Sequence, residues 1–545
     1  MHHPHRTTRL LQFALLLGAS ALAHAEVSVS PLFSDHMVLQ RGVALPVWGW
    51  ATAGEPITVS IDGQEQHAVT DKDGRWMLRL APLQVGAPRT MTISGRTETL
   101  RIADILLGEV WLCAGQSNMV WPVSAADHGA QELAAASHPE IRLFEVAGGK
   151  SPVAEQERLD PNHLPDGMNG SGQARCVWRA SDPKSAVSFS AVGYFFGRAL
   201  HEQLHVPIGL ISNAVGATPI EAWMSHAALS ATPEFRKALE WWAAVDGFAD
   251  TAEGKRQLLA LDEAGLKRFG KWSWRADSWL APHNRLGHPS TFYNSRVHPL
   301  VPFALKGVIW YQGEGNTGNA IAYRDYFPAL ISDWRQQWGQ GDFPFLFVQL
   351  ANWGGAPPAQ PQASEWAELR ESQALALRLP NTGMAVAIDI GDPGNIHPRN
   401  KQDVGARLAL AARAVAYGEQ IVHAGPTYRD LSIDGNRLRL HFTSLGGGLV
   451  AKGGPLRGFA LAGADRRFVW ADAVIEGDTI TVSAEAVPQP VAVRYGWAHN
   501  PGCNLCNVEG LPAAPFRSDD WPGVTTGKGF AAKDPATALA FPIPQ

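Results

Sequence analysis

Cysteine is scarce: four residues in 545. Cys113, Cys176, Cys503 and Cys506 are too few to staple a chain of this length, and Cys503-Asn504-Leu505-Cys506 lacks the second pair a zinc site needs. Buried thiols or one disulfide are the expectation. After the N-terminus no run reaches the roughly 18 apolar residues of a membrane-spanning helix. The net charge of −5 is small and no basic patch stands out, which argues against nucleic acid as a partner. Internal repeats and low-complexity linkers are absent too, which excludes a solenoid or a fibrous array.

What is present is a long chain with 54 glycines and 38 prolines, enough for two to four domains rich in strands and loops. Arg6 and Arg9 precede an apolar stretch from Leu10 to Leu22, and Ala23-His24-Ala25 follows as a small-x-small site. This order predicts an export signal over 1–25, a mature chain starting near Glu26, a periplasmic or extracellular location, and no membrane attachment after cleavage.

From 26 to 105 the pattern predicts a β domain. Val27-Ser28-Val29, Leu45 to Trp50, Ile57 to Ile61 and Met91-Thr92-Ile93 are short β-forming runs, divided by turns such as Asp62-Gly63 and Asp73-Gly74. The pattern changes near Gly108, and 106–422 alternates strands with helices. Strands are expected at Val110 to Ala114, Ile208 to Ile211, Leu305 to Tyr311, Pro344 to Leu350 and Met384 to Ile390. Helices are expected at Ala191 to Leu204, Tyr326 to Trp338 and Val404 to Tyr417. This predicts an α/β domain with a mostly parallel sheet. A helical insertion is expected at about 227–285. Over 423–545 the β pattern returns, at Leu438 to Phe442, Thr479 to Val482 and Ala492 to Tyr495, so both flanks are expected to be sandwich-like β domains.

Parallel sheets gather functional residues on the loops after the strands' C-terminal ends. Four such loops carry suggestive residues. Gly115-Gln116-Ser117-Asn118-Met119 presents a serine on a tight turn, where backbone N–H groups can face an oxyanion. Met119 stands where the Gly-x-Ser-x-Gly elbow has its second glycine. Gly216, after the strand ending at Ile211, can bring a bare N–H close to a substrate. Asn316, in Trp310-Tyr311-Gln312-Gly313-Glu314-Gly315-Asn316, can donate its side-chain N–H. His397, in the loop from Asp389 through Asp392 to Pro398, can take a proton from Ser117, with a nearby aspartate to orient it. Each residue alone also suits a turn, a cap or a core position.

Serine, glycine, asparagine and histidine in this order resemble the four blocks of the SGNH hydrolase superfamily. Gly-Gln-Ser-Asn-Met at 115–119 with Trp-Tyr-Gln-Gly-Glu-x-Asn ending at Asn316 is more narrowly similar to the sialate O-acetylesterase family of carbohydrate esterases. So are Thr218-Pro219-Ile220-Glu221-Ala222-Trp223-Met224, Ile396-His397-Pro398-Arg399-Asn400-Lys401 and the late stretch from Asn504 to Arg517. The resemblance spans nearly the whole mature chain. It implies a flavodoxin-like three-layer α/β/α domain, deacetylation of a carbohydrate, and neither metal nor cofactor. It also implies Ser117 as nucleophile, His397 as base, and an oxyanion hole from the N–H groups of Ser117 and Gly216 with the Asn316 side chain.

Many SGNH enzymes carry aspartate three residues before the histidine, and here Gly394 stands there. The orienting acid is then Asp392, favoured because it is nearer on the loop, or Asp389, or the pair works as a dyad. Gln116, Gln312 and Glu314 are candidates to bind sugar hydroxyls or to brace the loops. Trp121, Trp223, Trp310 and Trp353 lie beside the motifs, as sugar platforms or as core. Acetylated sialic acid, xylan and xyloglucan all remain possible substrates. Two other classes stay open: a non-catalytic carbohydrate-binding protein, and a serine hydrolase of other acyl esters.

Overall fold

The computed structural model describes residues 26–149, 151, 154–159, 176–257 and 287–529. The expected export signal over 1–25 lies outside the described residues, as does the part of the expected insertion over 258–285.

The molecule is a mixed α/β structure organised on one long strand, Thr99–Gly115. Its first half pairs antiparallel with Arg89–Ser94, and its second half enters a mostly parallel sheet. Across that sheet the strands run Trp178–Ser181, His138–Glu145, Ile208–Ala214, Thr99–Gly115, Gly307–Tyr311, Phe345–Gln349 and Thr382–Val386. All neighbours are parallel except the edge strand Trp178–Ser181. The interior strands read as continuous apolar runs because both of their faces are covered. Ile105–Gly115, Gly307–Tyr311 and Phe345–Gln349 are buried at every position.

From Thr99–Gly115 the chain first builds strands to one side and then returns to build the other. That reversal makes the C-terminal end of this strand a topological switch point, where open α/β sheets place their ligands. The helices Ala191–Leu204 and Lys401–Val415 pack against each other, as do Ala320–Trp338 and Glu365–Ala374. The expected insertion begins as the helices His226–Ser230 and Pro233–Ala249, each capped by a hydroxyl, from Ser225 and Thr232.

The N-terminal strands have no core of their own. Val47, Val59 and Ile93 join Leu112, Ile309 and Phe347 in one continuous hydrophobic cluster. The strand Thr99–Gly115 therefore runs unbroken through the boundary expected at 105/106. The C-terminal strands differ. Thr427–Asp434, Arg437–Thr443, Thr479–Ser483 and Asp472–Glu476 form one four-stranded sheet, and Phe468–Trp470, Phe459–Ala462, Ala492–Tyr495 and Phe516–Arg517 form another. They share a separate cluster built on Leu438, Leu440, Phe459, Val482 and Val493. All four cysteines are free thiols, and Cys113, Cys176 and Cys506 are buried.

Most expected elements form with small boundary shifts. The helix expected from Tyr326 begins at Ala320, with Pro328 in its interior rather than its first turn. The strand expected to reach Ile390 stops at Val386, so the histidine loop starts earlier.

Arg370 ties the C-terminal β region to the parallel sheet. Its guanidinium is fully buried and donates to four carbonyls: Leu350 and Ala351 at 2.8 Å each, Ala498 at 2.7 Å and His499 at 2.9 Å. Burial pushes this guanidinium down to about 9. Unpaired buried carbonyls cost about 1–3 kcal/mol each. Arg370→Met is therefore expected to lower stability by about 2–5 kcal/mol, read as a lower denaturant midpoint. An unchanged midpoint would show that the clamp is dispensable.

Candidate active site

Gly115 ends the central strand with φ +138°, and a Cβ there would collide with the Tyr311 carbonyl oxygen. The chain can therefore turn sharply between its two neighbours. Gln116 N donates to Tyr311 O at 2.9 Å, and Val215 N donates to Gly115 O at 3.1 Å. Ser117 opens a one-turn helix, Ser117–Val120, whose first N–H groups have no partner within the helix.

His397 reaches this turn from the loop after Thr382–Val386. Its Nε2 lies 2.8 Å from Ser117 Oγ. With the ring proton on Nδ1, the hydroxyl donates to Nε2, as proton transfer to a base requires. The ring stacks on Trp121 at 5.4 Å and 16°. The loop is tied back by His397 N donating to Asn395 Oδ1 at 2.9 Å and by Asn118 Nδ2 donating to Ile396 O at 3.1 Å. Burial holds the His397 ring below its ordinary pKa, and the Lys401 charge pushes the same way.

The structure does not bring the expected orienting acids to this ring. Asp392 Oδ1 accepts from Gly394 N at 2.8 Å, a local turn that keeps the carboxylate on its own loop. Asp389 pairs with both arms of Arg407, at 2.6 and 2.8 Å. Among the described residues no hydrogen bond joins either carboxylate to His397.

Gly216 and Asn316 follow the strands on either side of Thr99–Gly115, so both loops open at the serine turn. Asn316 is buried and held on three sides. Its Oδ1 accepts from Ile220 N at 2.8 Å and from Gln312 Nε2 at 2.7 Å, and its Nδ2 donates to Glu221 Oε2 at 2.9 Å. A primary amide carries two N–H donors, so these bonds fix the group and leave one hydrogen for a ligand.

The bonds of the three candidate sugar binders are of the bracing kind. Gln312 is fully buried, donates also to Thr218 O at 3.1 Å, and accepts from the Tyr323 hydroxyl at 2.8 Å. Gln116 is buried, and its Oε1 accepts from Gly315 N at 3.1 Å. Glu314 Oε1 accepts from Asn118 Nδ2 at 2.6 Å, and burial raises its carboxyl pKa. Trp223 and Trp310 are fully buried core residues, whereas Trp121 and Trp353 keep exposed surface.

Two participants escaped the sequence reading. Glu221 pins Asn316, and Lys401 donates from Nζ to Asn118 Oδ1 at 2.6 Å. Both lie inside the matched motif stretches, which was the available signal. Their partners are 95 and 283 residues away in the chain, so no local spacing reveals the contacts.

The model of the family "Carbohydrate esterase, sialic acid-specific acetylesterase" matches residues 107–244 and 279–414. The chain belongs to this family. It is therefore a carbohydrate O-acetylesterase, a carboxylic ester hydrolase. It is 33% identical over 462 residues to the sialate O-acetylesterase of Rattus norvegicus, covering 78% of this chain and 81% of that one. It is 31% identical over 555 residues to the Homo sapiens enzyme of the same name, covering 93% and 95%. Among solved structures it is similar to a carbohydrate acetylesterase from Xanthomonas citri, with 40% identity and a TM-score of 0.76 over 91% of this chain and 100% of that one.

Gly115→Ala tests the turn of this esterase directly. The added Cβ must displace the strand end or Tyr311, and a shift near 1 Å at a reacting group costs about 100-fold. Ester hydrolysis is expected to fall by roughly tenfold or more in a folded protein. Wild-type turnover would show that the turn has room to spare.

Proposed function

We propose that this esterase is exported and removes O-acetyl groups from a carbohydrate, with Ser117 as nucleophile and His397 as general base. The observation that carries this reading is the 2.8 Å approach of His397 Nε2 to Ser117 Oγ at the switch point of the sheet. Ser117 attacks the acetyl carbonyl while His397 accepts its proton. The developing oxyanion is met by the N–H groups of Ser117 and Gly216 and by the remaining Nδ2 hydrogen of Asn316. His397 then protonates the departing sugar oxygen. A water activated by the same ring hydrolyses the acetyl-enzyme, which releases acetate and restores the serine.

The centre is read as a Ser–His dyad, since Asp392 and Asp389 hold other partners. Trp121 supplies orientation by stacking. The parallel sheet with its helix pairs supports a three-layer SGNH domain, and the two C-terminal sheets around one core support a sandwich. Acetylated sialic acid, xylan and xyloglucan are the substrate classes to test. The relatives named above are sialate and carbohydrate acetylesterases.

Acetate release from a panel of acetylated glycans, beside acetyl and longer acyl esters of one chromogenic alcohol, checks the reading. Acetyl esters are expected to be preferred. Ser117→Ala is expected to cost at least about a thousandfold in kcat. Undiminished hydrolysis by that variant would remove Ser117 from the mechanism. A preference for long acyl chains would point to a different ester hydrolase.

A further inference from the structure

Lys401 occupies a place where elementary electrostatics disfavours it. It is the first residue of the helix Lys401–Val415, where the helix dipole presents its positive end. Its side chain is also fully buried, which penalises an ammonium ion further. A local rule broken twice at one residue beside a reaction centre marks a position kept for function rather than for stability.

The surroundings show what the cation does. Nζ donates to Asn118 Oδ1 at 2.6 Å and sits over two aromatic rings, Tyr311 at 5.4 Å and Trp121 at 5.9 Å. Asn118 follows the serine, and its Nδ2 reaches both Glu314 Oε1 and Ile396 O. One amide thus ties together the serine turn, the Asn316 loop and the histidine loop, and Lys401 holds its carbonyl end. Trp121 is at once the ring under Lys401 and the ring on which His397 stacks.

We propose that Lys401 is a positioning residue of the acyl-transfer centre: through Asn118 it locks the serine turn to the histidine loop, and it sets a cation beside His397 where a carboxylate triad has an anion. This rests on the Ser117–His397 reading given above.

Titratable groups face the pair from several described elements. Glu314 and Tyr311 approach from the strand Gly307–Tyr311 and the turn after it. Asp392 and Arg399 share the histidine's own loop, and Arg399 faces Asp127 at 3.6 Å. Glu314 meets Asn118 rather than Lys401 itself, so its carboxyl offsets the ammonium from across the amide. Burial pushes Lys401 down to about 7, while Glu314 acts against that fall. The short bond to the Asn118 carbonyl and the two ring faces under Nζ are the contacts a protonated amine makes. A carboxylate partner favours the imidazolium, and a cation disfavours it. His397 is held as the neutral, proton-accepting form to lower pH than an unassisted histidine.

The sign is testable. Lowering pH through the His397 pKa removes the base, so kcat/KM falls along an acid limb that reports that pKa. The probe is 4-nitrophenyl acetate, with the full chain as wild type, Lys401→Met, Lys401→Arg and Asn118→Ala. The wild-type limb is expected below the ordinary imidazole value of about 6.5. Lys401→Met keeps the bulk and loses the charge, so its limb is expected to rise by about half a pH unit or more, with a fall in kcat. Lys401→Arg restores the cation and is expected to bring the limb back. Asn118→Ala cuts the tether and leaves the charge, so kcat is expected to fall with the limb in place.

A wild-type limb at or above about 6.5, or a folded Lys401→Met whose limb does not move, overturns the proposal. Burial lowers the wild-type limb by itself, so the comparison decides, and Lys401→Gln takes the place of Lys401→Met if that variant fails to fold. An NMR titration of the His397 ring, identified by its loss in His397→Gln, reads the same value without turnover. Equal hydrolysis by wild type and Ser117→Ala would instead sink the nucleophile assignment, and the ring titration would still report on Lys401.

Discussion

The end of the strand Thr99–Gly115 can take one shape, and the rest of the site is arranged around it. Over Ile105–Gly115 both faces of the strand are buried and its edges are paired, so the chain leaves the sheet most readily through a residue without a side chain. Gly115 provides that exit by lying against the Tyr311 carbonyl. The hydrogen bonds on either side of it, to Tyr311 and from Val215, then bring the two neighbouring loops to the serine. The position of the switch point, between the two directions in which the sheet grows, determines which loops these are.

Around that exit two buried amides join the loops, each held by ionisable side chains. Asn316 is pinned by Ile220, Gln312 and Glu221, and Asn118 by Glu314, Ile396 and Lys401. A buried amide has donors and acceptors on one rigid plane, so a few bonds fix its orientation. The carboxylates expected to orient the histidine are used elsewhere. Asp389 anchors the loop to Arg407, and Asp392 shapes the loop's own turn. The histidine is steadied by Trp121 and by its backbone.

Much of the architecture was legible in the sequence because it follows from short-range pattern. Continuous apolar runs between helical stretches indicate buried parallel strands, and Ala191–Leu204 forms over its expected span. The serine, glycine, asparagine and histidine loops were legible because each follows such a strand. The 105/106 boundary was less so, since one strand serves both regions and no residue marks the change of partner. The choice between bracing and binding for Gln116, Gln312 and Glu314 was not legible either. A polar residue on a loop looks the same whether it faces a neighbouring loop or solvent.

The sequence by itself determined the family, the order of strands and helices and the four loops that meet, because these depend on residue type, spacing and chain order. The tertiary structure alone decided which side chains share a hydrogen bond. It brought Lys401 to Asn118 across 283 residues, Glu221 to Asn316 across 95, and neither aspartate to His397. A hydrogen bond works over about 3 Å and requires aligned atoms. Only the packed sheet brings residues so far apart in the chain to that distance.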